Sequence, residues 1–174
     1  MEWPIKIGWR TIKTVIAVFI TLLLYHWLNR QPANLAALAC VFTMQGNVPA
    51  SIEFGRYRIL GNTIGAVIAG ATAYLELTFG FFNPYVHIFA TTLGILLVIV
   101  TCNLFKIPKS IVNSAATYFV VLLTISTHQI WAYTINRVLD VIVGVTIAIL
   151  VNRILPGPYP NKENQAPSLE GSNN

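Results

Sequence analysis

Carboxylates are scarce. Six Asp and Glu stand in a chain of 174 residues, and charged residues of both signs make up only 10%. A soluble domain needs far more charge to cover its surface, so that class is excluded. Histidine (three) and cysteine (two) are equally thin. His26, His87 and His128 have no metal-ligand spacing and read as interfacial residues. Cys40 and Cys102 both fall in apolar runs, which favours small packing residues over a disulfide or a metal site. No nucleophile stands beside a base, and neither a phosphate-binding loop nor a metal cluster is written in the chain, so the sequence predicts no enzyme and no cofactor.

What is present is apolar. Hydrophobic residues are 55% of the chain and its mean hydropathy is +0.65, which makes the lipid bilayer its first partner. A helix needs about 20 apolar residues to cross the hydrocarbon core. Six runs approach that length, at 11–28, 33–48, 58–79, 84–105, 110–127 and 134–155. Turn chemistry separates them: Asn29, Arg30, Gln31 and Pro32; Gly46, Asn47 and Pro49; Gly80, Asn83 and Pro84; Lys106, Pro108 and Lys109. The fold class predicted is therefore all-α, a polytopic membrane protein of six transmembrane helices over residues 1–155. Residues 156–174 switch to Gly, Pro, Asn, Lys, Glu and Ser and read as a disordered cytoplasmic tail. Ala37, Leu38, Ala39 and Cys40 after a basic start suggest lipoprotein processing, but Asn29, Arg30 and Gln31 interrupt the run and the remainder is polytopic.

Cytoplasmic loops hold an excess of positive charge. With the N-terminus inside, Lys6, Arg10, Lys13, Arg56, Arg58, Lys106, Lys109, Arg153 and Lys162 are cytoplasmic and only Arg30 and Arg137 are not. Both termini are therefore expected inside, and the net charge of +5 reports topology rather than nucleic-acid binding. Trp3, Trp9, Tyr25, Trp27, Trp131 and Tyr133 read as aromatic belts at the two interfaces.

One helical pattern is written twice, 79 residues apart: Arg58, Gly61, Gly65 and Ala69, then Arg137, Asp140, Gly144 and Ala148. Three spans per half is an odd number, so the halves, 1–79 and 84–155, would cross in opposite senses as a 3+3 inverted repeat, a common transporter design. Gly61, Gly65, Ala69, Gly144 and Ala148 form small-residue stripes suited to close helix packing. Spans two and five are the shortest and occupy matching places, a pointer to a binding site. Gln45, at the end of span two, offers an amide there.

Arg137 and Asp140 lie one turn apart at membrane depth, where charge is costly unless paired or wet. They are expected to pair with each other. Asp140, the one carboxylate inside a span and away from its ends, reads either as a structural ion-pair member or as carrier of a coupling proton. Arg58 pairs with Glu53, marks the inner surface, or points inward. In the last case Arg58 and Arg137, at opposite mouths of a pathway, would hold carboxylates through paired hydrogen bonds.

The run Ala36, Ala37, Leu38, Ala39, Cys40, Val41, Phe42, Thr43, Met44, Gln45, then Ser51 and Arg58, Ile59, Leu60, Gly61, Asn62, Thr63, Ile64, Gly65, Ala66, resembles the aromatic acid exporter and fusaric acid resistance superfamily. The likeness is greatest to aromatic acid exporter family 1, and Arg137 to Gly144 extends it over roughly residues 6 to 155. The resemblance implies a multi-pass protein of the bacterial inner or plasma membrane, moving small organic anions such as aromatic carboxylates outward; six short spans enclose little volume, so a homo-oligomer is expected as the working unit. Arg58, Arg137, Gln45 and Asn62 are the substrate-binding candidates. A passive anion channel and a partner-dependent, non-transporting scaffold remain the alternatives, since many members of the superfamily carry a soluble domain after the six spans.

The orientation is checked in a variant lacking Cys40 and Cys102. A membrane-impermeant thiol reagent should modify Gln31→Cys in intact cells and Ser172→Cys only after permeabilisation; the reverse order overturns the topology.

Overall fold

Asn47 and Pro49 open the longest helix of the protein. Proline is tolerated in a first helical turn, where its missing N–H is not needed. The Asn47 side-chain oxygen accepts from the Ala50 amide at 2.8 Å, satisfying one of the free donors there. The computed structural model describes residues 8–30, 33–79, 83–124 and 129–155; Trp3, His128 and the expected tail lie outside the described residues. The elements are α1 (Trp9–Trp27), α2 (Asn34–Thr43), α3 (Val48–Phe79), α4 (Pro84–Leu104), a 3-10 turn (Pro108–Ser110), α5 (Ile111–Thr124) and α6 (Ile130–Ile154). Described residues outside helices are short connections and helix caps, and no strand occurs among the described residues.

The third helix thus starts ten residues before the expected boundary at 58. At 32 residues it is about 48 Å long, against a hydrocarbon thickness of about 30 Å. The surplus length accommodates its charged first turns, with Glu53 and Arg56 exposed. Four helices, α1, α3, α4 and α6, are long and apolar enough to cross a membrane. The other two are shorter: α2 has 10 residues and α5 has 14, about 15 and 21 Å by helical rise.

α3 and α6 pack against each other at the centre. α5 lies along α3 and α2 lies along α6, while α1 covers α2 and α6, and α4 covers α3 and α5. α1 and α4 close identically. Asn29 and Lys106 take positive φ (53° and 55°), and the next amides, Arg30 and Ile107, reach back to Tyr25 and Cys102 carbonyls at 3.0 Å in each case. That is the left-handed cap that satisfies carbonyls left free at a helix end.

The short helices sit on glycine. A Cβ on Gly65 would fall on the Ser114 carbonyl of α5, and one on Gly144 on the Ala36 carbonyl of α2. Gly61 is pressed by Ser110 and Ser114. Buried Ala69 joins the cluster around Val98, Tyr118 and Val121, and Ala148 joins Ala17, Cys40 and Met44. All five small residues of the repeated stripes are buried.

Gly144→Val should destabilise the fold by about 1–3 kcal/mol or more through overpacking, read as a lower melting temperature of the purified protein. Gly46→Ala, where nothing lies within 4 Å, is the control and should move it little. Equal melting temperatures would refute the glycine seat.

Candidate functional site

Where α2 ends, the backbone turns sharply and is held from two sides. Arg10 Nε donates to the Met44 carbonyl at 3.0 Å, and the Gln45 amide donates to Ser51 Oγ at 3.0 Å. α3 then brings Phe54, Tyr57 and Arg58 past this turn, at helical spacings that place them on adjoining faces. The 3-10 turn contributes Lys109 and α5 contributes Asn113 from its first turn. Together with Val41, Phe42, Gln45 and Arg10 these residues line a cavity of about 340 Å³, within the range that small-molecule sites occupy.

The lining combines three cations, three aromatic rings and two amides, with no carboxylate among the lining residues. The Arg58 guanidinium lies over the Phe42 ring, 4.5 Å from its centroid. Its Nε is buried with no hydrogen-bond partner, a costly condition for a charged donor. The Arg58 carbonyl accepts from Asn62 Nδ2 at 2.7 Å and from Asn113 Nδ2 at 3.1 Å. Thr117 in turn donates to Asn62 Oδ1, so α3 and α5 are tied directly beneath the cavity. Glu53, the expected partner of Arg58, instead bonds Lys109 at 2.9 Å and raises that ammonium's pKa, favouring its charged form. Lys109 also lies 5.4 Å from the Tyr57 ring centroid.

The other end of the bundle is built differently. Arg10 and Tyr25 are separated by about 22 Å of helical rise along α1. There Asp140 is 4% exposed, bonded to Arg30 at 3.0 Å and accepting from Tyr25 Oη at 2.7 Å. Arg30 also donates to Asn136 Oδ1 at 3.1 Å. The expected Arg137–Asp140 pair does not form. Helical side chains lean toward the N-terminus, so Arg137 turns back one turn, lies over the Tyr133 ring at 4.5 Å and donates to its hydroxyl. Its Nη1 is buried without a partner. Tyr25 and Tyr133, read from sequence as belt residues, are engaged in these contacts instead.

Of the sequence candidates, Arg58 and Gln45 line one cavity, Asn62 stands one turn behind it, and Arg137 belongs to the opposite end. Arg10, Lys109, Phe54, Tyr57 and Asn113 were missed. Arg10 and Lys109 counted only toward topology, and Phe54 and Tyr57 fell in a segment assigned to the loop before span three. Lys13, which the sequence places among the cytoplasmic cations, is only 3% exposed. His87 bonds Glu76 at 3.0 Å, and no group of three or more potential metal ligands occurs among the described residues.

A family model described as aromatic acid exporter family member 1 matches residues 5–155. Among similar curated proteins, a UPF0421 protein of Staphylococcus epidermidis is 31% identical over 87% of this chain and 44% of its own length. UPF0421 proteins of Staphylococcus saprophyticus and Bacillus cereus are 30% and 29% identical, over 90% and 91% of this chain and 45% and 41% of their own lengths. The chain therefore spans less than half the length of these relatives. No solved structure matches it.

Double-mutant cycles on unfolding free energy test the pairing at Asp140. Asp140→Asn with Arg30→Gln should couple by about 1 kcal/mol or more, and with Arg137→Gln by less than about 0.5 kcal/mol; the opposite ranking would refute the arrangement.

Proposed function

Because the chain belongs to the aromatic acid exporter family, we propose that it moves small organic anions, aromatic carboxylates first among them, out of the cell across the bacterial plasma membrane. The observation that carries this reading is the cavity around Arg58. Its size and lining suit a ring bearing a carboxylate: cations and amides for the oxygens, and Phe42, Phe54 and Tyr57 for the ring. The partnerless Arg58 Nε supplies a donor that such a carboxylate would satisfy. The cavity opens among the cations counted as cytoplasmic, so in this orientation, with both termini inside, it is the loading side. Arg137, with its own unpartnered nitrogen and its own ring, is the matching group toward the exit, and Asp140 anchors Arg30 there.

The inverted-repeat reading is supported by the packing. Exchanging α1, α2 and α3 for α4, α5 and α6 returns the same set of helix neighbours, the same cap after α1 and α4 and the same glycine seat at Gly65 and Gly144. The shortness of α2 and α5, which leaves one chain little volume to enclose around a path, supports a homo-oligomer as the working unit.

Labelled benzoate in proteoliposomes, at a pH well above its own pKa to limit leak of the neutral acid, tests the reading. Arg58→Gln should lower protein-dependent flux about tenfold or more, the loss of roughly 1.5–3 kcal/mol of charge-assisted hydrogen bonding. Phe54→Ala should lessen the preference for benzoate over acetate. Flux unchanged in Arg58→Gln would overturn the assignment.

A further inference from the structure

Three cations line the cavity, but they are not equally available to a ligand. Arg10 is exposed and spends its Nε on the Met44 carbonyl at 3.0 Å, which holds the turn after α2. Arg58 is the deep one. Its Nε is buried and unpartnered, and its guanidinium lies over the Phe42 ring. Lys109 stands at the mouth, its side chain 65% exposed, and is already bonded to Glu53 at 2.9 Å.

The contact at the mouth is built by α3. Glu53 and Tyr57 are one turn apart and share a face of that helix. The Lys109 ammonium therefore meets both, the carboxylate at 2.9 Å and the ring centroid at 5.4 Å. Lys109 lines the cavity and Glu53 does not, so a fixed negative charge stands beside the entrance rather than within it. Both groups are exposed, and their ordinary pKa values keep them charged at neutral pH. Among the described residues no other carboxylate lies at this end of the bundle: Asp140 is held by Arg30 and Tyr25, and Glu76 by His87, toward the other end. The carboxylate of Glu53 thus fills at Lys109 the place that a ligand carboxylate would take.

We propose that Glu53 sets the charge selectivity of the cavity: by neutralising Lys109 it leaves Arg58 as the one cation with a donor to fill, so the site takes aromatic monocarboxylates and disfavours aromatic dicarboxylates. This rests on the cavity being the anion site. A monoanion brings its carboxylate to Arg58 and leaves the Glu53–Lys109 pair intact. A ring with two carboxylates carries the second toward the mouth, where it either displaces Glu53 from Lys109 or lies beside it as a like charge. Juxtaposed like charges are costly where two surfaces meet and water is partly excluded. The pair itself contributes little to stability, being exposed. Its consequence is selectivity, and both partners can be substituted at little cost to the fold.

Calorimetric titration of the purified full chain compares benzoate with phthalate, isophthalate and terephthalate, at a pH where every ligand carboxyl group is ionised. The isomers hold their carboxylates at different fixed separations, so the series samples the span from Arg58 to Lys109. The wild type should bind benzoate more tightly than each dianion. Glu53→Gln should shift the ratio toward at least one dianion by about fivefold, the upper range for an exposed charge pair, and adding Lys109→Gln should abolish that shift. A wild type that binds a dianion as tightly as benzoate overturns the proposal, as does an unchanged ratio in Glu53→Gln. An equal shift in the double variant also overturns it, since Glu53 would then act only as a diffuse surface charge. Absence of benzoate binding, or binding that Arg58→Gln leaves intact, overturns the cavity itself and this inference with it.

Discussion

Everything in this bundle depends on how closely two short helices approach two long ones. α5 and α2 rest on α3 and α6 at Gly65 and Gly144, where backbone meets backbone and a single methyl group would collide with a carbonyl. Helices in lipid gain little from burying apolar surface against one another, so association rests on close van der Waals packing and interhelical hydrogen bonds. The glycine seats supply the packing; the Arg58–Asn62–Asn113–Thr117 and Lys13–Asn152–Ser51 networks supply the hydrogen bonds. Because α2 stops after ten residues and α5 starts only after the 3-10 turn, the same seats leave room at one end of the bundle. The cavity occupies that room.

The two ends differ in how charge is handled. At the Tyr25 end, a buried carboxylate pairs with one partly exposed guanidinium and a buried tyrosine hydroxyl. At the Arg10 end, the cavity gathers cations while the nearest carboxylate, Glu53, serves Lys109 at the surface. An unbalanced positive site with aromatic walls is attractive to an anion in proportion to how poorly water can screen it. Arg58 and Arg137 share one local design, a ring beneath the guanidinium and one nitrogen left over. Both arginines open the stretches in which one pattern of residues is written twice.

Much of this was legible in the chain. The helical class and the shortness of the second and fifth segments follow from periodicity and from the turn residues between the apolar runs. What was not legible depends on side-chain direction and on helix starts. The Arg137–Asp140 spacing looks like a pair, but the lean of helical side chains sends Arg137 toward Tyr133 and leaves Asp140 to Arg30, which is 110 positions away in the chain. Pro49 has the chemistry of a break, but proline equally opens a helix, and here it puts Phe54 and Tyr57 on α3 rather than in a loop. Lys13 reads in the sequence only as one more cytoplasmic cation, because nothing local distinguishes a lysine that faces solvent from one that faces Asn152.

The continuity of α3 has a mechanical meaning. It runs unbroken from Val48 to Phe79, with no proline after its first turn to serve as a hinge. It carries the cavity wall near one end and Glu76, bonded to His87, near the other, with the tight seat at Gly65 between them. A stiff rod held at an intermediate point is a lever. Tilting about that fulcrum, it would carry Arg58 one way and Glu76 the other, so widening at one face of the membrane would accompany narrowing at the opposite face.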